Sequence, residues 1–107
     1  MERVICLATV LALSVAASHA HAQGNPPEGL ALAQQVCSEC HAIQRGQVRS
    51  PNSRSPTFVE LATAPGMTAT ALLVALTTPH AGMPMFILTT EQRENVIAYI
   101  LSLKGEN

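Results

Sequence analysis

The residues of this chain that could do the most specific chemistry are two cysteines and a histidine within a run of five. Cys37 and Cys40 are separated by two residues, and His41 directly follows the second cysteine. Two thiols at this spacing on one helical turn can add to the two vinyl groups of a single haem, and CxxCH is the attachment signal for c-type haem. The adjacent imidazole is then held against the iron as an axial ligand. The run therefore predicts one haem c (iron protoporphyrin, covalently attached by two thioethers), with His41 as an iron ligand.

Two other uses of a CxxC pair fit the chain less well. A structural zinc site needs four ligands, and His41 stands so close to Cys40 that tetrahedral closure would be awkward. A thioredoxin-like pair begins a helix after a strand, whereas this pair ends a predicted helix. In an exported protein the two thiols could also form a Cys37–Cys40 disulfide.

Residues 1–22 are predicted to be a secretory signal peptide. An apolar run from Val4 to Ala17 is followed by Ala20-His21-Ala22, which matches the small-residue cleavage pattern. The run is shorter than the roughly 20 residues that span a bilayer. Cleavage after residue 20 and an uncleaved membrane anchor are the alternatives. Cleavage after Ala22 would leave 23–107 as a single domain with no membrane span, and we expect it in a bacterial periplasm.

Charge and composition narrow the class of protein further. The net charge is −1 at pH 7, whereas nucleic-acid binding requires a strong basic excess. The chain has no Trp, one Tyr and two Phe, and a domain of this size can bury only a modest core. A large flat cofactor would supply the missing apolar surface, so we expect the fold and the haem to depend on each other.

Capping and spacing signals predict three to four short helices. The first begins at Asn25, where Glu28 can close a capping box, and runs toward the CxxCH. Shorter helices are expected at 57–63 and from Thr68 to about Thr77, and the latter stops at Pro79. Its apolar residues form a stripe of Leu72, Leu73 and Leu76.

The closing helix is the best marked of these elements. Thr89 caps it, Gln92 completes a capping box, and Lys104 and Gly105 end it in the expected order. One face of the helix is apolar and consists of Val96, Tyr99, Ile100 and Leu103, with Ile97 and Leu101 beside them. No convincing alternating strand is evident, so the chain is predicted to be all-α.

These features together resemble a small class I (monohaem) c-type cytochrome of the exported bacterial type. The resemblance covers roughly residues 25–104. It rests on Gly29 in the opening helix, on the CxxCH, on Met83-Pro84 in a late loop, and on the closing helix with Tyr99. It implies a cytochrome c-like fold in which the helices wrap around one haem and the N- and C-terminal helices cross. Gly29 would allow the close approach of the two helices, and Tyr99 would fill the crossing.

The resemblance also implies the second iron ligand. In this family it is a methionine late in the chain, often followed by proline, and Met83 matches that description. Met85 is the closest competitor, since it lies only two residues further on. His80 would instead give a bis-histidine site of lower potential.

A proline carbonyl in the loop after the CxxCH is implied as the group that orients His41. Pro56 matches that segment best, and Pro51 is the alternative. The same loop contains three arginines that could pair with haem propionates, form a docking patch or remain solvated: Arg45, Arg49 and Arg54.

The function implied by this resemblance is electron transfer, and the protein is not expected to be an enzyme. We expect a soluble periplasmic carrier, a monomer, that docks transiently with a donor dehydrogenase and an acceptor oxidase or reductase. One alternative is a dedicated haem subunit of a periplasmic dehydrogenase or oxidase. Another is a haem protein with a labile sixth ligand that binds gases or acts as a peroxidase.

Overall fold

The computed structural model describes residues 24–105, and over that range the chain forms four α-helices. They are α1 (Pro26–Val36), α2 (Phe58–Thr63), α3 (Ala69–Thr77) and α4 (Thr90–Ser102). Between residues 24 and 105 the only β-type pairing is an isolated bridge between His80 and Met83. The all-α prediction is therefore confirmed. The predicted signal peptide lies outside the described residues.

No helix within the described range is long and apolar enough to cross a membrane.

The helices begin where side-chain caps satisfy their first backbone N–H groups. At α4 the Thr89 hydroxyl accepts a hydrogen bond from the Gln92 amide, and the Gln92 side chain accepts one from the Thr89 amide. This reciprocal box was predicted from the sequence. The same arrangement joins Thr57 and Glu60 at α2, where the sequence analysis did not anticipate it.

The cap of α1 differs from the prediction in one respect. The Asn25 side chain accepts a hydrogen bond from the Glu28 amide, as expected of an N-cap. However, the Glu28 carboxylate does not return to the Asn25 amide. It accepts a 2.9 Å hydrogen bond from Asn95 Nδ2, and Asn95 Oδ1 accepts from the Asn25 amide at 2.7 Å. The predicted capping box is wrong because a residue of α4 takes both groups.

The first and last helices cross at this point, as the resemblance implied. A Cβ atom on Gly29 would overlap the carbonyl oxygen of Asn95 and lie 2.8 Å from Cβ of Tyr99. Only a glycine leaves room for backbone contact this close. The Tyr99 ring is buried beside the crossing, and its hydroxyl donates a 2.6 Å hydrogen bond to the Ile43 carbonyl.

The core lies around α4, which α1, α2 and α3 all contact. Its buried members come from every helix and include Ala33, Phe58, Ala62, Leu72, Val96, Ile97, Ile100 and Leu103. Burial within the apolar stripe of α3 is uneven. Leu72 is buried, whereas Leu73 is 43% exposed, because the next residue of a helix is turned about 100° from its neighbour.

Candidate functional site

The CxxCH segment forms one further helical turn after α1 ends. The His41 amide donates to the Cys37 carbonyl at 2.9 Å, and the Cys40 amide donates to the same carbonyl at 3.2 Å. Both cysteines are free thiols and half-buried. Burial raises the pKa of the Cys37 thiol to about 11, so this group is protonated at neutral pH. The turn thus presents two thiols and an imidazole from one rigid segment.

The His41 ring is fixed by the loop that precedes α2. Its Nδ1 lies 2.6 Å from the Pro56 carbonyl oxygen, which is the contact that the sequence analysis assigned to Pro56 in preference to Pro51. A carbonyl can only accept, so Nδ1 carries the proton and Nε2 keeps a lone pair for a metal. The Phe58 ring packs 5.5 Å from the imidazole between ring centroids. Phe58 is held in turn by its amide, which donates to the Ala42 carbonyl at 2.8 Å.

Cys37, Cys40 and His41 line a deep cleft. It contains about 830 Å³ of empty space, including the part open to solvent. Most of the lining is apolar, with contributions from α3, the loop after it and α4: Leu72, Leu76, Phe86, Val96 and Ile100. The cleft therefore joins thiols and an imidazole to a water-excluding surface, which suits a large apolar group.

Met83 lines the same cleft from the loop after α3. It closes a tight turn from His80, in which the Met83 amide faces the His80 carbonyl at 3.4 Å and Gly82 adopts φ +82°. The structure brings His80 to the cleft as well. Met85 is 49% exposed and is not part of the lining, although the neighbouring Phe86 is. Of the two competing methionines, only Met83 lines the cleft together with His41.

A second cavity adjoins the first and adds polar groups. It shares His41, His80 and Met83 with the cleft and is also lined by Asn52 and Arg54. The three arginines of this loop therefore differ in placement. Arg45 donates to the Ser102 carbonyl at the end of α4, at 3.3 Å, and Arg49 lies in a separate surface depression.

Sequence reasoning missed the contacts that hold the loop after His41. The Gln47 side chain accepts from the amides of Ile43 and Gln44, each at 3.0 Å. The Ser50 hydroxyl accepts from the Ala42 amide at 3.0 Å. Polar residues six and nine positions after the motif, Gln47 and Ser50, are the sequence signal for such contacts, and that signal is common to many loops.

The structure gives no support to the alternative prediction of a structural zinc site. Among residues 24–105, no three His, Cys, Asp or Glu side chains gather into a group that could hold a metal ion.

Sequence comparisons define the class of protein to which this fold and cleft belong. A model of the family described as cytochrome c oxidase, cbb3-type, subunit III, matches residues 24–100. The chain is also 32% identical over 102 residues to cytochrome c-552 of Bradyrhizobium diazoefficiens, covering 95% of this chain and 94% of that protein. No solved structure gives a significant match. The chain belongs to this family of c-type cytochromes: it is a small monohaem c-type cytochrome and a haem electron-transfer protein.

The residues of the cleft fit the haem c that family membership implies. The two free thiols lie on one turn, as attachment to a single porphyrin requires. Nε2 of His41 is left available because Nδ1 faces Pro56. The apolar lining suits the porphyrin face, and Arg54 and Asn52 line the adjoining polar cavity.

Proposed function

We propose that this protein is a soluble periplasmic one-electron carrier whose haem c is ligated by His41 and Met83. One observation carries the proposal. His41 and Met83 line a single cleft with both attachment cysteines, and Nδ1 of His41 is held 2.6 Å from the Pro56 carbonyl. This is the orientation in which a histidine ligand offers Nε2 to a metal.

Each residue has a distinct role in this proposal. When bound, haem c supplies an iron that alternates between ferric and ferrous states. Cys37 and Cys40 retain it through thioethers. His41 provides a neutral imidazole, and Pro56 orients that ring. Met83 provides a soft thioether, which favours the ferrous state and raises the reduction potential.

The proposed carrier role follows from the two residues that would hold the iron. With His41 and Met83 both bound to it, no ligand position would remain for a substrate. The apolar lining, with Leu72 and Val96, would cover the face of a bound porphyrin and keep water from it. Electrons would then pass through an exposed edge to partners that dock transiently, a donor dehydrogenase and an acceptor oxidase or reductase.

Export is supported by the pattern of residues 1–22 and by the need to attach haem c outside the cytoplasm. We expect the mature protein in a periplasmic extract to begin after Ala22 and to carry the mass of one haem. Intact-mass spectrometry measures both. A full-length protein in the membrane fraction would contradict this part of the proposal.

A second candidate function is a fixed haem subunit of a larger redox enzyme. The family description names a subunit of an oxidase, and this observation favours the alternative. Gel filtration of native extract separates the two. A haem-containing species of about the size of the domain supports the free carrier, whereas co-elution with a large complex supports the subunit.

Carbon monoxide tests the carrier proposal. The ferrous protein should take up little CO at neutral pH, because Met83 occupies the sixth position, and cyclic voltammetry should give a reversible one-electron wave. Rapid stoichiometric CO binding to the unaltered protein would instead indicate an open or labile site of the gas-binding or peroxidase type.

A further inference from the structure

We propose that His80 is a reserve axial ligand, which takes the sixth position on the iron when the thioether of Met83 leaves it. This inference rests on the proposed function and deepens it, since it concerns the same cleft. It assigns to His80 a metal-binding role that the resident ligand pair does not include.

The two donor atoms are in contact. His80 Nε2 is 3.1 Å from Met83 Sδ. The turn that joins the residues explains this proximity, because His80 and Met83 are its first and fourth residues and pair as an isolated bridge. Gly82 makes the turn possible with its φ of +82°, a conformation that other residues rarely adopt. In this structure the turn therefore brings both the sulfur and the imidazole to the cleft.

The His80 ring is arranged like that of a metal ligand. Its Nδ1 lies 3.1 Å from the Thr78 carbonyl oxygen, which can only accept. The sulfur of Met83 also can only accept, so a neutral His80 ring can donate to the Thr78 oxygen through Nδ1 or to the sulfur through Nε2, but not to both. In the tautomer that donates to Thr78, Nε2 keeps its lone pair. His41 is arranged in the same way against the Pro56 carbonyl. Ligating histidines usually donate their second ring N–H to a carbonyl or carboxylate, and both histidines of the cleft meet this condition.

No other side chain of the loop competes as well for the position. Met85 is half-exposed and does not line the cleft. Met67 packs against the hydrophobic core. His80 lines both the cleft and the adjoining polar cavity together with His41 and Met83. A rotation of side chains within one exposed turn is enough to exchange the donors, and no helix has to move.

The exchange is a simple ligand substitution. The sulfur–iron bond to Met83 breaks and a nitrogen–iron bond from His80 Nε2 forms. In this tautomer the imidazole is neutral, so no proton or electron is transferred. A nitrogen donor stabilises ferric iron more than a thioether does, so the reduction potential falls when His80 binds.

The test uses holoprotein with four sets of substitutions: Met83→Ala, His80→Ala, the double variant, and Met85→Ala as the matched control. At neutral pH we expect Met83→Ala to remain low-spin in the ferric optical spectrum without the weak sulfur-to-iron band. The double variant should be high-spin. If His80 occupies the sixth position about nine-tenths of the time in Met83→Ala, CO binds the ferrous double variant about tenfold more tightly. Met83→Leu, which keeps the apolar volume, repeats the comparison should Met83→Ala fold poorly.

The outcomes separate this inference from the proposed function. A high-spin Met83→Ala or Met83→Leu with the same CO affinity as the double variant overturns the role of His80, while the sulfur band of the unaltered protein still supports Met83. A sulfur band that persists in Met83→Ala overturns both, since another methionine then ligates. A third outcome is that the unaltered protein lacks the band and the single variant His80→Ala is high-spin. His80 is then the resident ligand, which contradicts both the proposed role of Met83 and the reserve role of His80.

Discussion

The crossing of α1 with α4 and the turn that carries Met83 are held in opposite ways. At the crossing, Gly29 lets the two backbones touch, and Asn95 joins Asn25 to Glu28 through side-chain hydrogen bonds. At the turn, contacts are local: His80 meets Met83, and both residues belong to the same four-residue segment.

The two proposed iron ligands, His41 and Met83, differ in the same way. His41 is tied to the crossing through packed rings, since its ring contacts Phe58, and Phe58 packs 6.2 Å from Tyr99. Met83 is instead connected within its own turn, through His80. The residues that follow it are exposed, with Ile87 fully so. The comparison indicates one rigid ligand and one adaptable ligand, and this is the condition that the proposed exchange with His80 needs.

The largest expected contrast is between two isoleucines. Ile100 is 3% exposed and lines the cleft, whereas Ile87 is fully exposed. Ile100→Ala should lower the free energy of unfolding by about 4 kcal/mol, because it leaves a cavity in the core. Ile87→Ala should change it by less than about 0.5 kcal/mol. Denaturant unfolding of the holoprotein measures both, and equal effects would refute the distinction between the two regions.

Two glycines provide the next contrast. A Cβ at Gly29 would overlap the Asn95 carbonyl, so Gly29→Ala should cost about 3 kcal/mol as the helices separate. Gly82→Ala meets open space and should cost only about 1 kcal/mol, for its positive φ. Thermal unfolding of the two variants compares them under one condition. A larger loss at Gly82 would mean that the turn, and not the crossing, limits stability.

Asn95 should have a smaller effect of the same kind. Asn95→Ala removes the acceptor for the Asn25 amide and the donor for Glu28, and we expect a loss of about 2 kcal/mol. Asn52→Ala is the control in the loop after the CxxCH, where the Asn52 side chain accepts a local hydrogen bond from the Arg54 amide. Urea titrations measure the free energy of unfolding of both variants. Equal losses would show that the hydrogen bonds at the crossing stabilise the fold no more than a local hydrogen bond in a loop does.

Tyr99 gives the smallest effect and a pH dependence. Tyr99→Phe removes the hydrogen bond to the Ile43 carbonyl and should cost about 1 kcal/mol.

Burial raises the pKa of Tyr99 above its usual value of 10, although Arg45 opposes the shift. Because the folded pKa is the higher one, this contribution is complete below pH 10 and is lost as pH rises through the folded pKa. Since Tyr99 is the sole tyrosine, an NMR titration with ¹³C at Cζ follows it directly; a midpoint below 10 would contradict the shift.

Features of local origin were predictable from the sequence. The caps at Asn25 and Thr89 and the position of His41 after two cysteines all depend on residues within a few positions of one another. Contacts between distant segments were not predictable in the same way. Nothing near Glu28 in the chain indicates that its carboxylate binds Asn95, 67 residues further on.

The loop after the CxxCH shows the same limit. Its spacing did not distinguish Pro56 from Pro51, because the carbonyl that meets His41 is selected by how the loop returns to α2. Arg45 and Arg54 are alike in sequence, yet one contacts the end of α4 and the other lines a cavity beside the cleft. The residue types were enough to predict the kind of site. The hydrogen-bond and packing partners of each residue depend on the folded backbone.

The most direct test of the central claim is the ferric optical spectrum of the holoprotein and of the Met83→Ala and Met85→Ala variants. The account predicts covalently bound haem and a low-spin spectrum with the sulfur-to-iron band in the unaltered protein and in Met85→Ala. The band should be lost in Met83→Ala. A band that disappears in Met85→Ala and survives in Met83→Ala would contradict the assignment of His41 and Met83 as the ligand pair.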